Sequence, residues 1–316
     1  MRWDEGVDSI DLFYRSAKII LAHGEGVADV PCELNQQTRH IPWWLYPNVL
    51  SLDAPLLAVL WMYVFAEVWG LQYVEGLLAP VLALAVWVIY TMDRLVDVKI
   101  HGEMLQEPRH QFHRRHEKLL LGLVVLAVLV IVGSSLRFLQ WSIIESAMLP
   151  VIGLAAFFIL SVFSSGTGRV SYTKNVIAGI TFAMGCITGL LGLSARSMVT
   201  SMMSPEMVCF AAICVLNITA IDFWARPRPR QTTDDEDVVA EWSLTLPLLV
   251  VALFALLYKY KEGNEASRPF FDVIVVCCGL MYVMNRMREK LGPDKLRVGA
   301  DVILIIGAAL YWLIRA

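Results

Sequence analysis

The feature of this sequence that most restricts its fold is a series of long apolar blocks. No side chain from Gly76 to Met92 carries a charge. Similar blocks of about 17–22 residues recur along the chain, and a helix needs about 20 apolar residues to cross the hydrocarbon core of a bilayer. Soluble helices and strands instead show narrow apolar stripes. The blocks therefore predict an all-α protein that crosses the lipid bilayer several times.

The composition agrees with this prediction and argues against a nucleic-acid partner. Hydrophobic residues make up 57% of the 316 residues, and the mean hydropathy is +0.60. Charged residues make up 17%, against about 25% in ordinary soluble domains. The net charge of −3 lacks the basic excess that binding to a phosphate backbone requires.

Nine candidate spans can be placed on the chain, joined mostly by short loops. We divide the chain into an interfacial N-terminal segment, 1–50, and a transmembrane domain, 51–316. The spans lie at about 54–71, 75–93, 119–136, 142–162, 173–193, 206–224, 242–258, 270–286 and 298–314.

Lysine and arginine predict the orientation. The N-terminus and the loops after spans 2, 4, 6 and 8 carry 20 of the 26 Lys and Arg residues. Because cytoplasmic loops are enriched in these residues, we expect the N-terminus and these loops in the cytoplasm. We expect the protein in an inner membrane of the bacterial type. The oligomeric state is left open.

Two carboxylates end the second span. Asp93 and Asp97 stand one helical turn apart, with Arg94 between them. They share a helix face, and acids near a span are costly and often functional. Mg²⁺ suits a pair of carboxylates combined with phosphate oxygens. The alternative is that the helix has already left the hydrocarbon and the two acids are solvated.

A faint internal repeat adds a third acid. VWVIYTMD (86–93) and VLNITAID (215–222) share Val, Ile and Asp at three of eight positions, so Asp222 ends span 6 as Asp93 ends span 2. Arg226 and Arg228 follow, and arginine binds phosphate through a bidentate fork. The alternative for these arginines is a role as positively charged anchors at the cytoplasmic surface.

Other polar residues lie at the same predicted membrane face. Lys174, close to Tyr172, could contact a phosphate or could anchor the start of span 5. Asp53 opens span 1, where an acid stabilises a helix N-terminus. His110, His113 and His116 spread over about 120° of a helix, which is a poor geometry for one metal ion. We interpret the cysteines as buried small side chains.

These motifs together resemble the UbiA superfamily of intramembrane prenyltransferases. IYTMDRLVD matches the last two acids of the family's Asp-rich motif, close to NDxxDxxxD, at the end of span 2. A Tyr-x-Lys near the start of span 5 and an acidic motif at the end of span 6 are also similar. The resemblance covers about residues 50–315 and is carried mainly by the joint placement of the motifs on spans 2, 5 and 6.

The resemblance implies a nine-helix bundle and a Mg²⁺-dependent transfer of an isoprenoid chain. A prenyl diphosphate is the implied donor, and a lipophilic acceptor, often aromatic, is the second substrate. Asp93, Asp97 and Asp222 are the implied catalytic and metal-binding residues. The implied diphosphate-binding residues are Arg94, Lys174, Arg226, Arg228, Asn217 and Tyr172.

The chain also departs from the family pattern. Ile89 and Tyr90 stand where the family has Asn and Asp, and Arg226 stands where a second acid is expected after Asp222. Fewer acids predict weaker metal binding, with one Mg²⁺ rather than two. A terpene cyclase on the same fold, and a non-catalytic lipid-binding or transport protein, are the alternative functions.

Overall fold

The computed structural model describes residues 41–101, 107–163, 168–194, 197–225, 234–261 and 265–316, which form helices and no strand. A 3₁₀ turn at Trp43–Leu45 leads into the first helix. The helices are α1 (Tyr46–Val49), α2 (Asp53–Val68), α3 (Leu78–His101), α4 (Pro108–Arg115), α5 (Glu117–Phe138), α6 (Trp141–Phe163), α7 (Gly168–Leu193), α8 (Met198–Met202), α9 (Pro205–Ala225), α10 (Asp234–Lys261), α11 (Ser267–Arg286) and α12 (Pro293–Arg315).

The all-α membrane architecture is confirmed, whereas the number of crossings is not settled at nine. Each predicted span coincides with one long helix. Within the described ranges, seven helices are long and apolar enough to cross a membrane, namely α5, α6, α7, α9, α10, α11 and α12. The pair Trp43–Val49 and Asp53–Val68, bent by 77°, supplies an eighth if it counts as one span. Nine crossings and the orientation stay predictions.

Local signals set both ends of α2. Ser51 adopts a left-handed backbone conformation, with φ 58°, in the turn that separates α1 from α2. At the other end Gly70 has φ 68°. The amide of Gly70 donates to the carbonyl of Glu67, and that of Leu71 to the carbonyl of Ala66. This paired arrangement after a glycine in the left-handed region terminates helices efficiently, so α2 ends before the predicted limit of residue 71.

An aromatic cluster on α2 joins the central helices. The Trp61 ring stacks on Phe210 of α9, with centroids 4.4 Å apart, and meets Phe270 of α11 edge-on. The indole N–H of Trp61 donates to the carbonyl of Leu304 on α12 at 3.1 Å. Aromatic rings bury large areas and add about 0.5–1.5 kcal/mol per well-oriented pair. The cluster therefore fixes α2 against three helices that are distant in sequence.

Helices α7 and α9 approach each other closely at Gly179. A Cβ atom added to Gly179 would lie 2.6 Å from the backbone of Val215. Small residues at such crossings let two helix backbones pack without a side chain between them. The contact places Lys174 and Asn175, one turn before Gly179, beside the end of α9.

Candidate functional site

One cavity of about 520 Å³ has a charged end and an apolar arm. The charged end is lined by side chains from α2, α3, α4, α7 and α12, together with Asn48 and Asn217. The arm runs between aliphatic and aromatic side chains, mostly of α3, α6 and α7. The arm is lined by residues such as Val81, Leu82, Ala85, Ile144, Val151, Leu154, Phe157 and Phe182.

The structure brings together four of the residues that the sequence selected on α3 and α7. Asp93, Arg94, Asp97 and Lys174 all line the charged end of the cavity. The Lys174 ammonium lies 3.9 Å from Asp93 Oδ1 and 4.9 Å from the centre of the Phe157 ring. A cation thus stands where the charged end meets the apolar arm.

The other predicted site residues bind other partners, point away from the cavity or fall outside the described ranges. Asn217 lines the cavity, but its amide donates to Asp301. Tyr172 is 61% exposed and does not line the cavity. Arg226 and Arg228 fall outside the residues that the structure describes.

Asp222 takes part in a contact between helices rather than in the cavity wall. Asn175 of α7, which does line the cavity, donates its side-chain amide to Asp222 Oδ2 at 3.3 Å. Across the described ranges, no three His, Cys, Asp or Glu side chains lie close enough to share one metal ion. The structure therefore does not group Asp222 with Asp93 and Asp97.

A second acidic group lies on the same cavity. Asp53, the first residue of α2, and Asp301 of α12 are in hydrogen-bonding contact through their carboxyl groups. Asn48 donates to Asp53 at 2.6 Å, and Asn217 donates to Asp301 at 3.1 Å. Asp53 Oδ1 also accepts from the amide of Ala54, but its main partners are side chains of the cavity wall.

Basic residues from α4 and α12 complete the charged end. Arg297 is 5% exposed and makes two hydrogen bonds to Glu107, at 2.9 and 3.1 Å. Glu107 also pairs with Arg109 at 2.8 Å. Burial alone would raise the pKa of Glu107, but the charges of Arg109 and Arg297 outweigh it and hold that pKa below its ordinary value. Glu107 thus ties two cavity arginines in place.

The histidines of α4 are neutral parts of this network. Burial, reinforced by the charge of Arg109, lowers the pKa of His110 to about 3. Burial also lowers the pKa of His113 to about 4, although its hydrogen bond to the carbonyl of Arg109 acts in the opposite direction. The pKa of Arg109 falls to about 10, mainly through burial and the nearby Arg297, so this side chain stays charged at neutral pH.

The sequence analysis missed Arg109, Arg297 and Asp301 as cavity residues. Arg109 belongs to a loop with many basic residues, and Arg297 stands among other charges before the last span. Asp301 was a usable signal, because an acid three residues inside the last predicted span, 298–314, is costly in lipid. Its partner Asp53 could not be identified from the sequence, since 248 positions separate the two.

The donor set on α3 fits a metal ion that arrives with a phosphate ligand. Asp93 Oδ1 is buried and has no hydrogen-bond partner among the described residues. Asp97 lines the same cavity one turn later. Mg²⁺ is commonly bound by one or two carboxylates together with substrate phosphates, rather than by an all-protein cage. Asp93 and Asp97 satisfy that requirement without a third acid.

In comparisons with known proteins, no family model, no curated protein and no solved structure matches this chain.

Proposed function

We propose that this chain is a membrane-embedded, Mg²⁺-dependent prenyltransferase that moves an isoprenoid chain from a prenyl diphosphate to a lipophilic acceptor. The observation that carries the proposal is the shape and polarity of one cavity. Its charged end contains carboxylates and cationic side chains, and its arm is lined by apolar side chains. A prenyl diphosphate has the same division into a charged head and an apolar tail.

The charges at the polar end explain why a metal ion accompanies the substrate. Four cationic side chains line it: Arg94, Arg109, Lys174 and Arg297. Asp93, Asp97 and Glu107 oppose them, and the Asp53–Asp301 pair lies on a neighbouring wall of the cavity. The end therefore has no large excess of positive charge, and a diphosphate alone would leave it strongly negative in a medium of low dielectric constant.

Asp93 and Asp97 would hold Mg²⁺ through their carboxylate oxygens. The bound ion would neutralise part of the diphosphate charge and stabilise the charge that develops on the leaving group. Arg94 and Lys174 flank the same position and supply fixed positive charge from the protein. Lys174 is available because its partner Asp93 is 3.9 Å away, which is longer than a hydrogen bond.

The apolar arm would hold the isoprenoid tail and protect the reaction. Ionisation of the carbon–oxygen bond leaves an allylic cation, which water would quench in an open site. The Phe157 ring already accepts the Lys174 ammonium on its face, and such a face stabilises a cation. Phe157 is therefore the aromatic group best placed to face an allylic cation near the charged head.

The resemblance in the sequence supports the same proposal from another direction. The DR pair and the second acid of the motif, Asp93, Arg94 and Asp97, all face the cavity, as does Lys174 of the Tyr-x-Lys motif. The departures at Ile89 and Tyr90 fall on the cavity wall as well. A site with fewer acids is expected to hold one metal ion.

The test measures diphosphate release by the purified protein in nanodiscs, over a panel of prenyl diphosphates of increasing length, with and without EDTA. Asp93→Asn and Asp97→Asn should each lower Mg²⁺-dependent turnover at least about a hundredfold, because each carboxylate is a large share of the metal site. Excess Mg²⁺ should partly restore the weaker variant by mass action.

Glu117→Gln is the matched control. It also removes one carboxylate, but that carboxylate begins α5 and pairs with Lys99 near the end of α3. It should leave turnover within about twofold. Turnover that is indifferent to EDTA, or unchanged in both aspartate variants, would remove the metal-dependent proposal. Mass spectrometry of the products then separates transfer to an acceptor from cyclisation or hydrolysis of the donor.

A further inference from the structure

The Asp53–Asp301 pair is a buried acidic group that diphosphate binding does not use. The two carboxyl groups come from α2 and α12 and are in hydrogen-bonding contact. Two carboxyl groups this close repel each other strongly when both are charged, because the site has a low dielectric constant. A hydroxyl group that donates a hydrogen bond to the pair would relieve part of that repulsion.

Two asparagines hold this pair, one on each carboxyl group. Asn48 donates to Asp53 Oδ2 and Asn217 donates to Asp301 Oδ1. These bonds fix the carboxyl groups and stabilise negative charge on them. The pair is therefore positioned to accept a hydrogen bond from a hydroxyl group in the cavity.

Asn217 supplies an independent sign that a ligand with a hydrogen-bond donor fits here. Its side chain is 6% exposed and lines the cavity. Its Oδ1 is buried and has no hydrogen-bond partner among the described residues. A buried acceptor without a partner costs about 1–3 kcal/mol. A hydrogen-bond donor entering the cavity would satisfy this atom and would then lie beside the Asp301 carboxyl group.

The pair is connected to the proposed donor site through one chain of contacts. Arg94 donates to the carbonyl of Asn48 at 2.6 Å, and the Asn48 amide donates to Asp53. Arg94 directly follows Asp93 on α3. Tyr90, one turn earlier, lines the same cavity as Asp93 and Asp301. The two polar groups therefore occupy neighbouring walls of one cavity.

We propose that Asn217 and the Asp53–Asp301 pair form the acceptor subsite, which binds the hydroxyl group of a lipophilic phenol or alcohol and takes its proton. This inference rests on the proposed prenyl transfer. The acceptor O–H donates toward Asn217 Oδ1 and the carboxylate of the pair. An acceptor without such a donor leaves Asn217 unpaired and is disfavoured.

The step balances in atoms and electrons. The carbon–oxygen bond of the donor breaks, and its electron pair leaves with the diphosphate. The acceptor proton moves to a carboxylate oxygen of the pair. The electron pair left on the acceptor oxygen forms the new bond to the allylic carbon, and the pair later returns one proton to water.

The test compares acceptor phenols that carry the same alkyl chain but differ in acidity. Asp301→Asn and Asp53→Asn should lower kcat/KM for weakly acidic phenols about a hundredfold or more, the usual contribution of a general base. Phenols already ionised at the assay pH should lose less than about fivefold, because they need no base. Asp301→Glu should restore part of the activity toward the weakly acidic phenols.

The ratio between the two kinds of phenol is measured within one protein, so a partly unfolded preparation cannot produce it. Binding of a prenyl diphosphate should stay within about threefold of wild type in both variants, since the pair is not part of the head site. Glu145→Gln removes an exposed carboxylate of α6 that does not line the cavity and should change neither quantity.

Three results would overturn the inference, and they differ from one another. An equal loss for all phenols would assign the pair a structural role only. A weakened affinity for the donor with an unchanged phenol ratio would place the pair in the diphosphate site. If wild-type protein binds no prenyl diphosphate, the proposed function itself fails, and the acceptor subsite fails with it.

Discussion

The ion pair between Arg297 and Glu107 gives a prediction whose size can be worked out from the structure. Arg297 is 5% exposed and Glu107 is 34% exposed, and two hydrogen bonds of 2.9 and 3.1 Å join them. A fully buried pair costs about 3–5 kcal/mol when one partner is removed, and an exposed pair contributes at most about 1 kcal/mol. The burial of only one partner places this pair between the two limits.

Arg109 reduces the expected cost further. It remains 2.8 Å from Glu107 when Arg297 is replaced, so the carboxylate keeps one cationic partner. Removing Arg297 also relieves repulsion with Arg109. We therefore expect Arg297→Met to lower the free energy of unfolding by about 2 kcal/mol, and the double-mutant cycle with Glu107→Gln to give a coupling energy of about 1.5 kcal/mol.

The assay is unfolding by SDS titration in mixed micelles, for the two single variants and the double variant. The pair Arg286–Glu241 is the matched control, since it has a similar hydrogen bond but Arg286 is 58% exposed. Its coupling energy should be clearly smaller than that of Arg297–Glu107, because solvent screens an exposed pair. A coupling energy below about 0.5 kcal/mol for Arg297–Glu107, or one no larger than that of the control, would refute the claim that Glu107 holds Arg297 in place.

Three further predictions follow from single positions. Gly179→Ala should cost about 1–3 kcal/mol of stability, because its Cβ would meet the Val215 backbone at 2.6 Å; Gly133→Ala, with open space around its Cβ, should be neutral in the same SDS titration. Gly185 lines the cavity, and there is open space around its added Cβ. Gly185→Phe should therefore block long isoprenoid tails, so that kcat/KM falls for the longest prenyl donors and not for the shortest. An unchanged chain-length preference would place the tail elsewhere. The folded-state pKa of His113, about 4, lies below its ordinary value of 6.5, so the unfolded chain binds more protons between these values and stability falls as the pH drops through that range. His113→Gln should flatten the dependence of the free energy of unfolding on pH between about 4 and 6.5. An unaltered slope in this variant would contradict the assignment to His113.

The parts of the fold that the sequence predicted are those that depend on local patterns. Each apolar block became one helix because a backbone in lipid must satisfy its hydrogen bonds within the segment. Asp93 and Asp97 both line the cavity, because two acids one turn apart share a helix face whatever the neighbouring helices do. The observed helix ends differ from the predicted ones by a few residues. At Gly70, for example, a left-handed turn ends the helix before the predicted limit.

The rest of the site depends on helix rotation and on partners distant in sequence. Helix α9 is apolar on all sides, so no polar stripe indicated that Asn217 would face the cavity while Asp222 would contact Asn175 of α7. Asp53 suggested a helix N-terminus, which it does occupy, but its contact with Asp301 requires α2 and α12 to pack side by side. That packing depends on partners distant in sequence, such as the bond from Trp61 to the Leu304 carbonyl and the ion pair between Arg315 and Glu67.

The most direct test of the central claim is an experimental map of the protein with a non-hydrolysable prenyl thiolodiphosphate and Mg²⁺. The account predicts that the diphosphate lies against Asp93, Arg94, Asp97 and Lys174, with the isoprenoid tail in the arm beside Phe157 and Gly185. Density for the head between other helices, or a tail that leaves the cavity for lipid, would contradict the account.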